Sequence, residues 1–450
     1  MGKIPAPYNR ALEIDHDVCI GCSHCIKVCP TEALRVREGK AVIHADWCVD
    51  CGECFRVCPT RAIRVMDDDF KQIFDYKYRV LLVPSMFYAQ FEEGIPRETI
   101  TGIIGELGFD EVCAVEQSAD TLIEEVNKYV ENAEEKPVIS TYCPAVTRLI
   151  QVRFPALVDH VMLLMPPIEI TAQYYKKKYA EKGIREEDLG IFYLTPCIAK
   201  IAAVKSPLGG YQSPITGVIN MDFFYNKVYL AYRQRRPLTK PIKVNEAVSS
   251  KGILYPTTGG EAANVRGHVL AIDGIDNVID FLEQLENGEI NGVDFLELRT
   301  CDESCAGGIL SLRNRFLVAD SMRHAAAETP STHALVDEYR GCGSDMVHME
   351  KVEPRSMVKY DKNIEEALKK MERARMLKDM LPDIDCGACG APSCEALAED
   401  VVREGADINS CLFLRTAWEK RGEITMQDAN TIMERIWGKD RFDIENNENK

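Results

Sequence analysis

The chain has 450 residues, of which 46% are hydrophobic and 28% charged, as is ordinary for a globular protein of two to four domains. Its net charge of −17 argues against nucleic acid and anionic membranes as partners. No apolar run approaches the ~20 residues of a membrane span, and the N-terminus carries neither a secretory signal nor paired arginines. We therefore expect a cytoplasmic protein.

Cysteine is the informative residue type, because 18 cysteines fall in groups with short internal spacings. In a long chain without a signal peptide, such groups indicate metal or cluster ligation rather than disulfides. The eight histidines show no paired zinc-binding motif, so a zinc hydrolase is not indicated.

Residues 17–60 contain an internal repeat, CIGCSHCIKVCPTEAL and CVDCGECFRVCPTRAI. Each copy has the C-x2-C-x2-C-x3-C-P spacing of bacterial two-cluster ferredoxins, in which the fourth cysteine of each copy ligates the other cluster. The spacing predicts one [4Fe–4S] cluster on Cys19, Cys22, Cys25 and Cys58, and a second on Cys48, Cys51, Cys54 and Cys29. We assign residues 1–72 to this ferredoxin-like domain; zinc is the alternative metal. The alternating segment RVREGKAVIHAD predicts a hairpin.

From about residue 71, apolar strands alternate with amphipathic helices, which predicts βαβ units and parallel sheets. The predicted strands are YRVLLVPS, DEVCAVE, PVISTYC and LGIFYLTPC. The predicted helices are RETITGIIGELGF, SADTLIEEVNKYVEN and EITAQYYKKKYAEK.

Four cysteines of this region stand where a cofactor is expected. Cys143 and Cys197 end two predicted strands, and ligands bind beyond the carboxyl ends of the strands in open α/β sheets. Two further cysteines, Cys301 and Cys305, are spaced C-x3-C. Prolines or glycines adjoin all of them: Pro144, Pro196, Gly307 and Gly308. Cofactor ligands are indicated, and the alternative is ordinary packing of buried thiols.

Residues 356–380 are predicted to be a charged, solvent-facing helical connector. In residues 381–415 the spacing C-x2-C-x4-C-x16-C defines a third set of candidate ligands: Cys386, Cys389, Cys394 and Cys411. This segment resembles a small helical [4Fe–4S] domain found in corrinoid-linked and electron-transfer proteins, and zinc is the alternative. Residues 416–450 are expected to form a polar helical tail. Cys113 is expected in the core, and isolated Cys342 receives no role.

Four segments of the middle region resemble the active-site segments of [FeFe] hydrogenases. They are TYCP, TPCIAK, YPTTGGEAANVR and RTCDESCAGG. The family carries T-S-C-C-P, M-P-C-x-x-K, F-G-x-T-G-G-x-x-E and M-A-C-x-x-x-C-x-x-G-G-G. The resemblance covers residues 75–350, and it implies an α/β multidomain protein whose residues 73–355 form a two-lobed α/β H-cluster domain.

The resemblance also implies the cofactor and its ligands. The cubane half of the H-cluster would be bound by Cys143, Cys197, Cys301 and Cys305. Cys305 would bridge to a diiron subcluster that carries CO, CN− and a bridging dithiolate. Lys200 matches the lysine that donates to a cyanide ligand, and the alternative is a surface lysine. Pro144 and Pro196 would shape the ligand loops.

Several residues depart from the family pattern. Tyr142 replaces the proton-relaying cysteine, and a phenol with a reference pKa of ~10 is a poorer relay than a thiol near ~8.5. We hypothesise that Glu261 and Tyr142 together replace the lost proton path; the alternative is that Glu261 faces solvent. Thr195 and Arg299 replace two methionines around the diiron centre. These changes are typical of a divergent, sensory branch of the family.

The resemblance therefore implies the reaction H2 ⇌ 2 H+ + 2 e−, with low turnover, electrons relayed through [4Fe–4S] clusters, and a sensory or regulatory role. Expected partners are H2, protons, hydrogenase maturation proteins, and a redox partner such as ferredoxin or a signalling protein. The full cofactor set would hold about 18 iron atoms. The rival hypothesis is a non-catalytic electron-transfer or scaffold protein that lacks the diiron subcluster.

Overall fold

The computed structural model describes residues 9–92, 94–235, 237–245, 247–340, 347–355 and 363–439. These residues form two compact units, each described by itself below. The larger unit contains the described residues of 1–11, 49–51 and 66–354, and the smaller unit those of 12–48, 52–65 and 355–450. Cys342, residues 356–362 and the end of the polar tail lie outside the described residues.

The strands are β1 Leu12–Ile14, β2 Leu34–Arg37, β3 Lys40–Ile43, β4 Ile63–Val65, β5 Tyr78–Val83, β6 Glu111–Ala114, β7 Val138–Ile139, β8 Leu189–Thr195, β9 Gly217–Asn220, β10 Lys243–Asn245, β11 Val269–Asp273 and β12 Phe295–Arg299. The α-helices are α1 His24–Lys27, α2 Glu53–Val57, α3 Arg97–Glu106, α4 Ala119–Asn132, α5 Pro144–Arg153, α6 Pro167–Glu181, α7 Ile198–Lys205, α8 Met221–Arg233, α9 Ser250–Leu254, α10 Ile275–Glu286, α11 Arg315–Ala327, α12 Val336–Arg340, α13 Ile364–Met380, α14 Cys394–Val402, α15 Leu412–Arg421 and α16 Met426–Trp437.

The larger unit contains a five-stranded sheet in the order β10-β6-β5-β8-β9, and every neighbouring pair is parallel. Strand β8 is buried along its whole length, as a strand covered on both faces requires. Its sheet packs through a cluster of aromatic rings that are at most 2% exposed: Phe87, Phe109, Phe192 and Phe224. This core fixes the strand end from which Pro196 and Cys197 emerge.

A second parallel sheet of the same unit has the order β11-β12-β7. Cys143 and Cys301 follow β7 and β12 at the carboxyl edge of this sheet. Two parallel sheets with helical crossovers confirm the predicted two-lobed α/β domain, and Cys113 is fully buried in β6 as expected.

The smaller unit begins with two antiparallel strand pairs, β1 with β4 and β2 with β3. The β2–β3 pair is the hairpin that RVREGKAVIHAD predicts. The short helices α1 and α2 carry Cys25 and Cys54, and each ends before the fourth cysteine of its repeat. This arrangement confirms the ferredoxin-like fold of the N-terminal segment.

The helical connector before the C-terminal cysteines and the tail after them both pack on other parts of the smaller unit. Helix α13 is mostly exposed, but it packs against α14, with Ala374 buried. In the tail, Ile436 of α16 is 4% exposed. The amides of Glu38 and Gly39 donate to the carbonyls of Arg435 and Ile436, both at 2.9 Å. The tail contains the helix α16, as a helical tail requires, and this helix packs on the β2–β3 hairpin. Among the described helices, none combines the length and the apolar character needed to cross a bilayer.

Candidate metal centres

Four cysteines of the larger unit come from three strand ends. Cys143 lies directly before α5, and Cys197 directly before α7. Cys301 and Cys305 lie in the segment after β12. Because helix N-termini carry partial positive charge, the two helix starts favour a negatively charged group between these thiols.

Cys143 Sγ and Cys301 Sγ lie 3.7 and 3.9 Å from the same atom, Thr300 Oγ1, so these two thiols are close together. Burial raises the pKa of Cys301, and the neighbouring Cys197, Cys143 and Cys305 raise it further. Burial likewise raises the pKa of Cys197 to about 12, Lys200 opposes this shift, and Cys143 and Cys305 add to it. A [4Fe–4S] cluster needs four thiolates around one buried space, so this donor set fits the cubane.

Close backbone contacts hold two loops against each other: the loop after β8, which carries Cys197, and the segment after β12, which carries Cys301 and Cys305. A Cβ on Gly308 would lie 2.8 Å from the carbonyl oxygen of Pro196, so a larger residue there would separate the loops. The amide of Leu310 donates to that same carbonyl at 2.9 Å. A Cβ on Gly307 would meet the carbonyl oxygen of Asp302 at 2.0 Å. Thr195 Oγ1 accepts from the amide of Cys197 at 3.2 Å, which orders this loop before its cysteine.

Lys200 and Tyr142 both contact the thiol of Cys305. Lys200 Nζ and Tyr142 OH each lie 3.8 Å from Cys305 Sγ. Lys200 Nζ also lies 4.0 Å from the centre of the Tyr142 ring. Lys200 is 7% exposed, so the alternative of a surface lysine is wrong. Burial would lower the pKa of Lys200, but Cys305 and Tyr142 raise it above its usual value, so its ammonium is charged.

Tyr142 also packs against a buried ion pair. Arg299 Cζ lies 4.4 Å from the centre of the Tyr142 ring, and Arg299 Nη2 lies 2.7 Å from Glu261 Oε2. Ser140 and Tyr255 both donate to the Glu261 carboxylate, at 2.6 and 2.9 Å. The alternative that Glu261 faces solvent is therefore wrong. Its carboxylate is bound by Arg299, Ser140 and Tyr255, and its predicted part in a proton path stays a hypothesis.

One buried carboxyl near Lys200 went unnoticed in the sequence. Glu116 is 1% exposed, and it accepts from the amide and the hydroxyl of Ser85. Burial raises the pKa of Glu116 to about 7, while Ser85 and Lys200 oppose the shift. In the sequence, the only indication that Glu116 is buried is its position directly after an apolar strand.

Two side chains contact the thiol of Cys305, which the resemblance makes the bridge to a diiron subcluster. A bridging thiolate needs one free direction toward the cubane and another toward a second metal. In this chain Lys200 Nζ and Tyr142 OH each lie 3.8 Å from Cys305 Sγ, and Tyr142 is only 5% exposed. The cubane fits the donor set, whereas a diiron unit on Cys305 would require Lys200 and Tyr142 to move; both also line a neighbouring cavity together with Pro144 and Tyr193.

In the smaller unit, the first predicted ferredoxin set lines one cavity, which contains Cys19, Cys22, Cys25 and Cys58. Burial raises the pKa of Cys25 to about 12, and Cys22, Cys19 and Cys58 add to the shift. The backbone amides of Ala41 and Ala62 donate to Cys19 Sγ and Cys58 Sγ at 3.4 and 3.3 Å. Such hydrogen bonds to sulfur stabilise the extra negative charge of a reduced cluster.

The second ferredoxin set is centred on Cys54. Burial raises the pKa of Cys54, and Cys29 and Cys48 raise it further. Ala33 donates its amide to Cys29 Sγ at 3.2 Å, as Ala62 does to Cys58 in the first set. Cys51, the remaining predicted ligand, is half-buried.

The third predicted set lines a cavity in the C-terminal segment: Cys386, Cys389, Cys394 and Cys411. Burial raises the pKa of Cys389 to about 11, and Cys386 and Cys411 contribute. Cys386 is exposed, whereas the other three thiols are buried among apolar residues. Over the described ranges, no three His, Cys, Asp or Glu side chains are grouped so as to hold a single metal ion.

The C-terminal set lies against the first ferredoxin set within the smaller unit. A Cβ on Gly387, between Cys386 and Cys389, would lie 3.6 Å from Ile26, which follows Cys25. The amide of Val36 donates to the carbonyl of Gly390 at 2.8 Å. The ligand loop that contains Cys389 therefore packs directly on the helix that carries Cys25.

Parallel α/β lobes with a four-thiol site, together with a ferredoxin-like segment, are features of an iron–sulfur protein. Residues 79–210 match the family model for the C-terminal domain of the iron-only hydrogenase large subunit. Residues 11–70 match the 4Fe–4S dicluster domain, and residues 381–413 match an Fe–S cluster domain. These matches confirm the resemblance that the motifs indicate.

Individual relatives are distant. Ferredoxin-2 of Desulfomicrobium norvegicum is 52% identical over 29 residues, which are 6% of this chain and 49% of the relative, so the chain spans about half the length of that curated protein. The [FeFe]-hydrogenase HydA(deltaEFG) structure is 16% identical with a TM-score of 0.45, over 61% of this chain and 94% of the other. A variant of HydA1 from Chlamydomonas reinhardtii is 16% identical with a TM-score of 0.46, over 62% and 95%.

Proposed function

We propose that this chain is an iron–sulfur electron-transfer protein on a hydrogenase-type domain, and that its hydrogenase-type cysteines hold a [4Fe–4S] cluster alone. The observation that carries the proposal is the double contact of Cys305 Sγ with Lys200 Nζ and Tyr142 OH at 3.8 Å. Both groups would have to move for a second metal to bind this sulfur.

The side chains at this site suit a redox cluster. A bound [4Fe–4S] cluster supplies one-electron transfer, and its potential depends on nearby charge, hydrogen bonds and solvent exposure. The buried Lys200 ammonium offsets the negative charge of a reduced cluster. Tyr142 OH lies beside Cys305 Sγ, and its ring contacts two cations, Lys200 and Arg299. The half-buried ligand Cys305 is therefore electrostatically stabilised.

Infrared spectroscopy tests the proposal. Protein produced together with the hydrogenase maturation proteins should show no bands of metal-bound CO or CN−, and should contain about 16 iron atoms in four clusters. Tyr142→Ala removes the phenol beside Cys305, and gain of those bands in this variant alone would identify the phenol as the obstruction. Tyr211→Ala, at the cavity wall next to Tyr142, is the matched control and should show no bands. Bands in the unaltered chain would contradict the proposal.

Hydrogen activation is the second candidate function. It is favoured by the match of residues 79–210 and by the charged, buried Lys200 beside the cysteine that would bridge to the diiron unit. It requires both Lys200 and Tyr142 to move away from Cys305. In this case the chain would oxidise H2 at low turnover and report on it through a redox or signalling partner. Reduction of the clusters by H2 in matured protein would support this candidate. If H2 does not reduce the clusters, the result supports electron transfer without hydrogen activation.

A further inference from the structure

A buried carboxyl of the larger unit lies on the wall of the cavity that Lys200 and Tyr142 line. Glu169, in the first turn of α6, is 2% exposed and borders this cavity of about 40 Å³, which has room for water. Lys200 Nζ and Tyr142 OH each lie 3.8 Å from Cys305 Sγ. One cavity therefore joins Glu169 to two groups that contact a predicted cluster ligand.

Among the described residues, the Glu169 carboxylate is bound by Ser213 and by no cation. The Ser213 hydroxyl donates to it, and its oxygen lies 3.0 Å from Oε1 and 2.9 Å from Oε2. Burying a carboxylate without a counter-charge is costly, which favours the protonated form. Burial raises the pKa of Glu169 to about 7, while Ser213 opposes the shift. The carboxyl can therefore gain or lose a proton near neutral pH.

Ser213 connects this carboxyl with the outside of the same unit. It is half-buried, and it also lines a groove of about 540 Å³ together with the exposed residues Glu186 and Glu187. A hydroxyl both donates and accepts hydrogen bonds, so it can pass a proton from one neighbour to another. Ser213 thus borders the groove on one side and binds Glu169 on the other.

We propose that Glu169 takes up one proton when the cluster on the hydrogenase-type cysteines takes up one electron, and that Ser213 passes this proton inward from the groove. The electron comes from a one-electron reductant such as a reduced ferredoxin-type cluster. The proton leaves a hydronium ion in the groove and forms a new O–H bond on the carboxylate. The added negative charge of the reduced cluster strengthens proton binding nearby, because charges interact strongly in a low-dielectric environment. The inference rests on the proposed [4Fe–4S] cluster at this site.

The other titratable groups near Glu169 are less suited to this role. Tyr193 and Tyr211 line the same cavity, and burial raises the pKa of both phenols, so both keep their protons; Arg148 opposes the shift of Tyr211. The short helical segment that carries Glu116 packs on α6. Glu116 is also a buried carboxyl, but it is not among the described residues that line the cavity or the groove. It is therefore the natural comparison for Glu169.

Redox titration at a series of pH values, followed by electron paramagnetic resonance, tests the inference on the full, cluster-loaded chain. The signal that Cys301→Ser removes identifies this cluster. Its midpoint potential should be flat below about pH 7, where the proton is bound in both oxidation states. Above that pH it should fall by about 59 mV for each tenfold drop in proton concentration. Glu169→Gln should make the potential independent of pH, whereas Glu116→Gln is the matched control and should keep the slope.

Ser213→Ala gives a second readout. Because the Ser213 hydroxyl stabilises the carboxylate, its loss should raise the pKa of Glu169 and move the start of the slope to higher pH. This shift also decides the matter if Glu169→Gln fails to bind the cluster: a shifted slope supports the inference, and an unshifted slope overturns it.

A flat profile in the unaltered, loaded chain would overturn the inference, as would a slope that persists in Glu169→Gln. Equal loss of the slope in Glu116→Gln would also overturn it, since no single carboxyl would then be responsible. If the unaltered chain lacks the signal that Cys301→Ser should remove, the proposed cluster itself is absent, and the inference falls for that separate reason.

Discussion

Lys200 places a buried positive charge next to the predicted cluster ligand Cys305. It is on α7, three residues after Cys197, and its ammonium contacts Cys305 Sγ. The resemblance to [FeFe] hydrogenases places Lys200 near a cyanide ligand of the diiron subcluster. The structure places its ammonium against Cys305 Sγ. The difference arises because Tyr142, in place of a small thiol, holds the ammonium over its ring at 4.0 Å.

Lys200→Met should lower the midpoint potential of one cluster by about 60 mV or more, because loss of a nearby cation destabilises the reduced state. The measurement is a redox titration of the loaded chain. Lys205→Met is the control, since Lys205 lies on the same helix but is exposed and pairs with Asp68. Equal titration curves for Lys200→Met and the unaltered chain would show that the ammonium does not act on a cluster.

Glu116 makes the stability of the chain depend on pH. In the unfolded chain its carboxyl ionises near 4.5, whereas burial holds the pKa at about 7 in the folded chain. Between these values the folded state binds the extra proton, so stability falls as pH rises and is flat above 7. The loss is about 3 kcal/mol over this window.

Glu116→Gln should remove that fall, so its unfolding free energy should change less between pH 4.5 and 7 than that of the unaltered chain. Denaturant unfolding at a series of pH values measures the difference. Glu186→Gln, at an exposed carboxylate, should keep the original slope. Parallel pH profiles for Glu116→Gln and the unaltered chain would show that this carboxyl is not the group responsible.

At the scale of single residues, spacing predicted the cysteines but not the charges around them. C-x2-C-x2-C is a local pattern and fixes three ligands on one loop. The burial of Glu261 depends on Arg299, 38 residues later, and on Ser140, 121 residues earlier. No local pattern encodes such a pairing, so the sequence left solvent exposure of Glu261 open as an alternative.

At the scale of elements, the ferredoxin-like strands are joined to the C-terminal helices by a buried ion pair. Arg35 and Arg37, both of β2, bind Asp400 of α14. Arg35 Nε and Arg37 Nη2 each lie 2.6 Å from Asp400 Oδ2, and the Asp400 side chain is 5% exposed. Buried pairs of this kind add little net stability, yet removing one partner is costly because the others stay buried without a counter-charge.

Asp400→Asn should therefore destabilise the smaller unit by about 3–5 kcal/mol. Faster loss of the visible cluster absorbance in denaturant measures the effect. Glu395→Gln on the same helix is the control, because Glu395 is exposed and should change the rate little. Identical rates of cluster loss for Asp400→Asn and the unaltered chain would contradict this account of the interface.

Strands and helices of the larger unit followed from sequence periodicity, whereas the docking of α16 did not. β5, β6 and β8 are apolar runs between turn signals, and their type is readable locally. The contact of α16 with the hairpin uses backbone amides of Glu38 and Gly39, which any sequence possesses. Its only sequence signal is the apolar end of the helix, Ile436 and Trp437.

At the scale of the molecule, the clusters of the smaller unit form a connected set, because the Cys386–Cys389 loop packs on the helix that carries Cys25. Paramagnetic clusters this near should interact magnetically when both are reduced. Cys389→Ser should remove the contribution of the C-terminal cluster to the splitting of the resonance spectrum, leave the coupling within the ferredoxin pair, and lower the iron content by about four. Cys113→Ser, at a buried non-ligand cysteine of β6, should preserve the splitting. A spectrum without splitting in the unaltered, loaded chain would refute the coupling.

The most direct test of the central claim is anomalous diffraction at the iron edge from crystals of chain matured in the presence of the hydrogenase maturation proteins. We expect four iron atoms among Cys143, Cys197, Cys301 and Cys305, with Lys200 Nζ and Tyr142 OH still in contact with Cys305 Sγ. Six iron atoms at this site, with both side chains displaced from the sulfur, would contradict the account and establish a complete hydrogen-activating centre.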